Sequence, residues 1–122
     1  MKTVMVVDDS RIMRNIVKRT FEELKIPVNF LEAADGNKAL KVLLENPVDL
    51  VLLDWNMPNL LGLDFLKKVR AMEKYKTIPI IMVTSESSKL NVVEAVRAGV
   101  TAYITKPISD EVFMDKLSKI AF

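Results

Sequence analysis

An uninterrupted aliphatic run that ends in a carboxylate, residues 50–54, limits the possible folds of this chain more than any other segment. The run reads Leu-Val-Leu-Leu-Asp, and Pro58 closes the segment four residues later. A strand without polar alternation is covered on both faces, which is typical of the interior of a parallel sheet. Asp54 would stand at the carboxyl end of that strand, where open α/β sheets bind their ligands. The run therefore predicts a parallel α/β sheet with a site at Asp54.

The rest of the chain alternates between strand-like and helix-like patterns. Strands are predicted at residues 4–7, 28–33, 50–53, 80–83 and 101–105. Helices are predicted from Arg11 until Pro27, from Gly36 until Asn46, after Gly62, from about Ser88 to Ala98, and from Ser109 or Asp110 to about Ala121. Short connections between these elements predict an α/β fold, a (βα)5 doubly wound five-stranded parallel sheet. With the flavodoxin-like strand order 2-1-3-4-5, residues 1–122 are expected to form a single domain.

The spacing of apolar residues predicts which helix faces are buried. The first helix is expected to pack through Ile12, Met13, Ile16, Val17, Phe21 and Leu24, and the last through Val112, Phe113, Leu117 and Ile120. In the third helix, Arg70 is expected to face solvent with Lys67 and Lys68. In the fourth helix, Val92 and Val96 form a second apolar stripe beside Leu90 and Val93. This surplus apolar surface near Lys89 could bind a partner helix.

The absence of two residue types excludes several kinds of chemistry. The chain has no cysteine and no histidine, so disulfides, zinc–thiolate sites, Ser-His-Asp catalysis and histidine-ligated metals are excluded. The chain cannot itself be a histidine phosphodonor for the same reason. Its formal net charge of +2 is far below the basic face of a nucleic-acid-binding protein. No apolar run approaches a membrane span and no signal peptide follows Met1, so a soluble cytoplasmic protein is expected.

Chemically useful side chains gather at the predicted carboxyl ends of the strands. Asp8 and Asp9 follow the first strand, Asp54 the third, Thr84 the fourth and Lys106 the fifth. In the order 2-1-3-4-5 the first and third strands flank the switch point of the sheet, so the three carboxylates converge. Such a cluster persists by binding a proton or a hard cation, for which Mg²⁺ is the natural candidate. With Lys106 and Thr84 nearby, Asp54 is a candidate nucleophile that forms an aspartyl phosphate.

Taken together, five motifs closely resemble the receiver domains of bacterial two-component response regulators: Asp8-Asp9, Asp54, Thr84-Ser85, Tyr103 and Lys106-Pro107. The segment 54–59, with Tyr103, is most similar to the CheY-like chemotaxis subgroup of that family. The resemblance covers the whole chain. Each motif is weak alone, but their combination at the ends of the expected strands is specific. It implies a stand-alone response regulator that accepts a phosphoryl group, and not an enzyme with an external substrate.

The resemblance assigns roles to the site residues. It implies that Asp54 accepts a phosphoryl group from a phosphohistidine on a separate histidine kinase. Asp9 and Asp54, with the backbone carbonyl of Asn56, would bind one Mg²⁺, and Asp8 would act mainly through a coordinated water. Lys106 would pair with the acyl phosphate. The peptide bond between Lys106 and Pro107 is expected to be cis, as in the family, which would direct the lysine into the pocket.

The resemblance also implies a switch. Thr84 would move toward the phosphoryl group and Tyr103 would turn inward, altering the surface of helix 4, strand 5 and helix 5. Asn56 and Glu86 are expected to tune the rate at which water attacks the phosphoryl group. A partner surface is predicted at Lys89, Val92, Val96, Tyr103, Lys116 and Lys119. The expected partners of this monomer are a chemotaxis kinase, a target such as the flagellar motor switch, and a phosphatase.

Three alternatives stay open at this stage. A phosphorelay intermediate would carry the same motifs. A phosphatase of the haloacid-dehalogenase type would need an acid/base carboxylate where Asn56 stands. Flavin binding on the same architecture would need a glycine- and hydroxyl-rich phosphate loop, whereas Asp8-Asp9 would repel a phosphate that lacks a metal. One departure from the family is Leu60-Leu61 before Gly62, which adds apolar surface beside the site.

Overall fold

The sheet has five parallel strands in the order β2-β1-β3-β4-β5 in the computed structural model, which describes residues 1–120. The strands are β1 (Lys2–Val7), β2 (Val28–Ala33), β3 (Leu50–Leu53), β4 (Ile80–Thr84) and β5 (Ala102–Thr105). The helices are α1 (Arg11–Glu23), α2 (Gly36–Glu45), α3 (Gly62–Arg70), α4 (Lys89–Arg97) and α5 (Asp110–Ser118). The predicted fold class and strand order are therefore confirmed. The predicted end of the last helix near Ala121 lies outside the described residues.

Strand β3 lies in the middle of the sheet and is buried on both faces. Its four residues are at most 2% exposed. Val51 and Leu53 pack into one hydrophobic cluster that includes Phe65 and Leu66 of α3. Leu50 and Leu52 pack into a second cluster, on the side of α1 and α5. An unbroken aliphatic run suits this position because neither face of the strand meets water.

Serine or aspartate side chains begin four of the five helices. Ser10 accepts a hydrogen bond from the backbone N–H of Met13, and Asp35 accepts one from Lys38. Ser88 and Ser109 cap α4 and α5 in the same way. Each such cap typically contributes about 1 kcal/mol by satisfying a backbone donor that has no partner inside the helix. These caps place the residues at the ends of β1 and β4 directly before a helix.

Several predicted core residues are exposed. Ile12 is 74% exposed, and Ile16 and Val112 are also exposed. In α4, Leu90 and Val93 are 71% and 44% exposed. In α1 the buried residues are Val17, Thr20 and Phe21, so Ile12 and Ile16 form a neighbouring row that does not reach the sheet. In α4 only Ala95 is fully buried. The burial prediction for these apolar rows was wrong because two rows fit the helical period and only one contacts the sheet.

Arg70 was predicted to face solvent, but it joins three segments of the fold. Its guanidinium donates hydrogen bonds to the backbone carbonyl oxygens of Gly99 and Tyr75, each at 2.8 Å. A longer bond of 3.4 Å reaches the hydroxyl of Thr101. Gly99 follows α4 with a φ of 97°, a conformation that favours glycine. Arg70 therefore fixes the carboxyl end of α4 to the end of α3.

The helices are between 9 and 13 residues long. A short 3-10 helix that the sequence did not predict, Glu73–Tyr75, follows α3. Among the helices of residues 1–120, none has the length and apolar character needed to cross a membrane.

The first residue of α3, Gly62, touches the backbone at the end of β3. Its N–H donates to the carbonyl oxygen of Trp55 at 2.9 Å. A Cβ at this position would lie 1.9 Å from the backbone oxygen of Asp54. Only glycine allows this approach, so the β3–α3 loop is held against the residue that follows the central strand.

We expect Gly62→Ala to lower the free energy of unfolding by about 1–3 kcal/mol or more, because the loop must move to avoid the clash. Urea unfolding would measure the change. Gly36→Ala is the comparison variant, since Gly36 is also the first residue of its helix and the nearest atoms to its Cβ would be side-chain carbons of Leu60 at 2.8 Å, not a backbone oxygen at 1.9 Å. We expect a smaller loss there. Equal losses in the two variants would contradict this account of Gly62.

Candidate functional site

Three carboxylates meet at the carboxyl edge of the sheet. Val7 of β1 and Leu53 of β3 are paired in register, so the residues that follow them leave the sheet side by side. Oxygen atoms of Asp8, Asp9 and Asp54 lie within 4.8 Å of one another. Asp8 and Asp54 are buried, whereas Asp9 is exposed. The convergence predicted from the strand ends is therefore present in the structure.

Lys106 brings a positive charge into this cluster from the end of β5. Its Nζ lies 2.9 Å from Asp8 Oδ2 and 3.7 Å from Asp54 Oδ2. The backbone N–H of Lys106 donates to the carbonyl oxygen of Thr84 at 2.9 Å, which fixes the start of its side chain. The Lys106–Pro107 peptide bond is cis. The ammonium group thus contacts two of the three carboxylates.

Asp54 is held in an environment that disfavours its ionised form. Its carboxylate accepts a hydrogen bond from the backbone N–H of Trp55 at 2.8 Å, and its exposed fraction is 8%. Burial raises the pKa of Asp54, and the negative charge of Asp8 raises it further. The Lys106 ammonium and the Thr84 hydroxyl act in the opposite direction without cancelling the shift. A neighbouring cation would therefore stabilise Asp54 as a carboxylate.

The charge and donor type of the cluster fit a divalent cation. Within residues 1–120, three carboxyl groups lie beside one ammonium group, so the negative charge exceeds the positive charge when the three are ionised. The side chains of Asp8, Asp9 and Asp54 all offer carboxylate oxygens as metal ligands, and hard cations prefer oxygen ligands. Asp9 is exposed, so an ion can reach the cluster from solvent. These residues can hold a divalent metal.

Glu86 connects the site to its surroundings. Its carboxylate accepts hydrogen bonds from the side-chain amide of Asn56 at 2.7 Å and from that of Asn91 at 3.1 Å. Its backbone carbonyl accepts a short hydrogen bond from the hydroxyl of Tyr103. Its backbone N–H donates to the hydroxyl of the fully buried Thr84 at 3.3 Å. The two predicted switch residues and the two predicted tuning residues therefore meet at Glu86.

Burial raises the pKa of the Tyr103 phenol, and the charges of Glu86 and Asp54 raise it further. Tyr103 thus keeps its proton at neutral pH and donates it in the bond to Glu86. The ring lies half-buried between solvent and the hydrophobic cluster behind β4. Its position links the end of β4 to β5.

The predicted partner residues differ in exposure. Lys89 and Val96 are exposed, whereas Val92 and Lys116 are partly buried. Lys119 forms an ion pair with Asp115 at 3.2 Å. Leu90 and Val93, which were not among the predicted partner residues, extend the exposed apolar row of α4 next to Val96. The buried and exposed apolar rows of α4 differ only in how much of each side chain the rest of the fold covers. That coverage cannot be derived from the sequence.

The segment before α3 contains a residue in the left-handed backbone conformation. Asn59 has a φ of 69° and donates its side-chain amide to Asp35 at 3.0 Å. Leu61 is 44% exposed, as expected for the departure before Gly62, while Leu60 is partly buried against Gly36. The Asn59–Asp35 bond and the role of Asn91 were both missed. The position of Asn59 after Pro58 in a short loop could have indicated the left-handed turn, because asparagine tolerates that conformation.

We expect Asp54→Asn to raise the urea midpoint of unfolding at pH 7, because the variant no longer pays to ionise a buried carboxyl group. The folded-state pKa of Asp54 lies above its ordinary value of 3.8. The penalty is thus fully present above the folded pKa and disappears as the pH falls toward the unfolded pKa. The stability difference between variant and wild type should accordingly shrink on acidification, as measured by urea unfolding at several pH values.

Asp35→Asn is a control of opposite sign. The N–H of Lys38 and the amide of Asn59 hold the pKa of Asp35 below its ordinary value. The variant should therefore be less stable than wild type at pH 7, with the difference lost only as the pH falls through that lowered pKa. A destabilised Asp54→Asn protein at pH 7 would contradict the description of the site.

Comparison with known proteins agrees with this geometry. Residues 4–118 match the family model described as the response regulator receiver domain. The chain is 40% identical to the chemotaxis protein CheY of Pseudomonas aeruginosa, covering 96% of this chain and 94% of that one. It is 45% identical to a chemotaxis protein CheY homolog of Campylobacter jejuni, covering 96% of this chain and 90% of the relative.

Solved structures lead to the same family. The structure of the chemotaxis protein CheY4 of Vibrio cholerae superposes with a TM-score of 0.88 at 33% identity, covering 98% of both chains. This chain is therefore a member of the response regulator receiver domain family.

Proposed function

We propose that this receiver domain takes a phosphoryl group onto Asp54 from the phosphohistidine of a kinase, in a reaction that depends on Mg²⁺. The observation that carries the proposal is the contact of Lys106 with both Asp8 and Asp54 inside a three-carboxylate pocket. The pocket combines a nucleophile, a counter-cation and ligands for a metal. Phosphoryl transfer needs these three elements and little else from the protein.

The transfer step follows from the chemistry of the residues. A carboxylate oxygen of Asp54 attacks phosphorus, the O–P bond forms, and the N–P bond to the imidazole breaks. The chain has no histidine, so the phosphohistidine belongs to another protein. Lys106 is placed to neutralise the negative charge that arrives with the phosphoryl group, and the hydroxyl of Thr84 is a donor for one of its oxygens.

The residues that would hold Mg²⁺ are Asp8, Asp9 and Asp54, together with the backbone carbonyl of Asn56. When bound, the ion supplies positive charge that neutralises the phosphoryl oxygens. Asp8 is already occupied by Lys106 at 2.9 Å, which supports an indirect role for Asp8 through water. Asp9 is free of this ion pair and is exposed to solvent.

The proposed switch uses the contacts of Glu86. If the hydroxyl of Thr84 turns toward a phosphoryl group on Asp54, it leaves the N–H of Glu86. The carbonyl of the same residue accepts the bond from Tyr103. A rearrangement at Thr84 therefore reaches Tyr103 through one residue and alters the surface formed by α4, β5 and α5. Asn56 and Glu86 would tune the attack of water on the phosphoryl group.

Membership of the receiver family bears on the earlier alternatives. The chain is a phosphoacceptor signalling protein and not a true enzyme. This membership argues against a haloacid-dehalogenase-type phosphatase and against flavin binding. Its relatives include chemotaxis proteins of Pseudomonas and Campylobacter, so we favour chemotaxis over a phosphorelay. A chemotaxis kinase and the flagellar motor switch are the proposed partners, which would place its action in the cytoplasm.

We expect Asp54→Asn to abolish labelling by a small acyl phosphate in the presence of Mg²⁺, because an amide cannot act as the nucleophile. Incorporated phosphate measured by mass spectrometry would report the result. Asp64→Asn, which changes an exposed carboxylate of α3, should label as the wild type does. Undiminished labelling of Asp54→Asn would rule out the proposed acceptor.

We expect Val96→Asp to weaken binding of a flagellar motor switch protein to the beryllofluoride-activated chain by about tenfold or more, equivalent to about 1.4 kcal/mol. Val96 is 61% exposed on α4, and a charge there disrupts an apolar contact. Calorimetry would measure the affinity. Ile12→Asp alters a more exposed apolar side chain, on α1, and should bind normally; unchanged binding by Val96→Asp would exclude this surface.

A further inference from the structure

We propose that Asn91, in the first turn of α4, is a positioning residue that shortens the lifetime of the phosphoryl group by holding the carboxylate of Glu86. The proposal rests on the phosphorylation of Asp54 described above. It adds a residue of α4 to the machinery that controls dephosphorylation. Asn91 had no predicted role, but its side-chain amide is bonded to Glu86, the residue at the centre of the proposed switch.

Two side-chain amides share the carboxylate of Glu86. Asn56 donates to Oε1 at 2.7 Å, and Asn91 donates to Oε2 at 3.1 Å. Both oxygens of the carboxylate are therefore used, each by a different structural element. Hydrogen bonds to a charged group are stronger than neutral ones. Among the side-chain hydrogen bonds of residues 1–120, only the one from Asn56 would still hold this carboxylate if Asn91 were removed.

The fixed carboxylate in turn fixes the side chain of Asn56. An asparagine amide has a donor end and an acceptor end, and here the donor end is bonded to Glu86. Its Oδ1 is therefore the end left to accept a hydrogen bond from water. Asn56 is exposed and stands two residues after Asp54. A water bonded to Oδ1 would be held with a defined orientation close to Asp54, the proposed phosphoryl acceptor.

That orientation matters for hydrolysis. The oxygen of water forms a bond to phosphorus while the bond between phosphorus and the Asp54 oxygen breaks. The products are inorganic phosphate and the free carboxylate, and one proton of the water passes to solvent. An acceptor that holds one hydrogen of the water presents its oxygen to phosphorus more often. Loss of Asn91 would let Glu86 and Asn56 reorient, so hydrolysis would slow.

The same contact connects the phosphoryl lifetime to the partner surface. Asn91 lies next to Leu90, which is 71% exposed on α4. A protein that binds the exposed apolar row of α4 and shifts the first turn of this helix would change the bond between Asn91 and Glu86. By reciprocity, any state of the site that moves Glu86 would change the affinity of that row. The lifetime of the signal would then depend on what is bound to α4.

The test follows the decay of the phosphoryl group after loading with acetyl phosphate and Mg²⁺ and removal of the donor. We expect Asn91→Ala to retain the phosphoryl group about two- to tenfold longer than wild type, the range that one hydrogen bond is worth. Asn91→Gln keeps an amide donor and should restore part of the rate. Asn15→Ala is the matched control, because Asn15 is an exposed asparagine of α1, and its lifetime should equal that of wild type.

The double variant separates positioning from a general structural effect. If Asn91 acts through Glu86, then Asn91→Ala should have no further effect in a Glu86→Ala background. Equal factors in both backgrounds, or a wild-type lifetime for Asn91→Ala or for Glu86→Ala, would overturn the proposal. Failure of the wild type to load at Asp54 would instead contradict the proposed function, so the two failures are distinguishable.

Discussion

Burial of the Asp54 carboxyl group beside Asp8, at one edge of the sheet, is the constraint on which the site depends. Asp8 and Asp54 are buried; burial, and then the charge of Asp8, oppose the ionisation of Asp54 and raise its pKa. Lys106 compensates only part of this charge. The pocket is thus poised to gain stability from added positive charge. The hydrophobic burial on both faces of the sheet offsets the free-energy cost of burying these carboxyl groups.

Much of the fold and of the site follows from short-range patterns. The aliphatic run of β3 determines its central position, because only an interior parallel strand is covered on both faces. The register between Val7 and Leu53 then brings Asp8 and Asp54 together without any further information. Lys106 could be assigned to the same edge from its place after the last strand. These predictions succeeded because parallel strands end on the same side.

What the sequence did not show depends on contacts between distant elements. Ile12 and Leu90 match the helical period as well as buried residues do, and only the rotation of each helix on the sheet separates them. Arg70 was assigned to solvent, although its hydrogen bonds reach Gly99 and Tyr75. Asn91 was missed because its partner, Glu86, lies before the helix begins. In each case the deciding information is a three-dimensional distance and not a spacing along the chain.

The attachment of Arg70 to Gly99 gives α4 two unlike ends. The carboxyl end is joined to α3 through a guanidinium bonded to backbone carbonyls, whereas the amino end is joined to the site through one side-chain amide. A helix of 9 residues is about 13 Å long. If the amino end is released while the carboxyl end stays fixed, α4 would rotate about its carboxyl end. Displacement then grows along its length, and Leu90 travels farther than Val96.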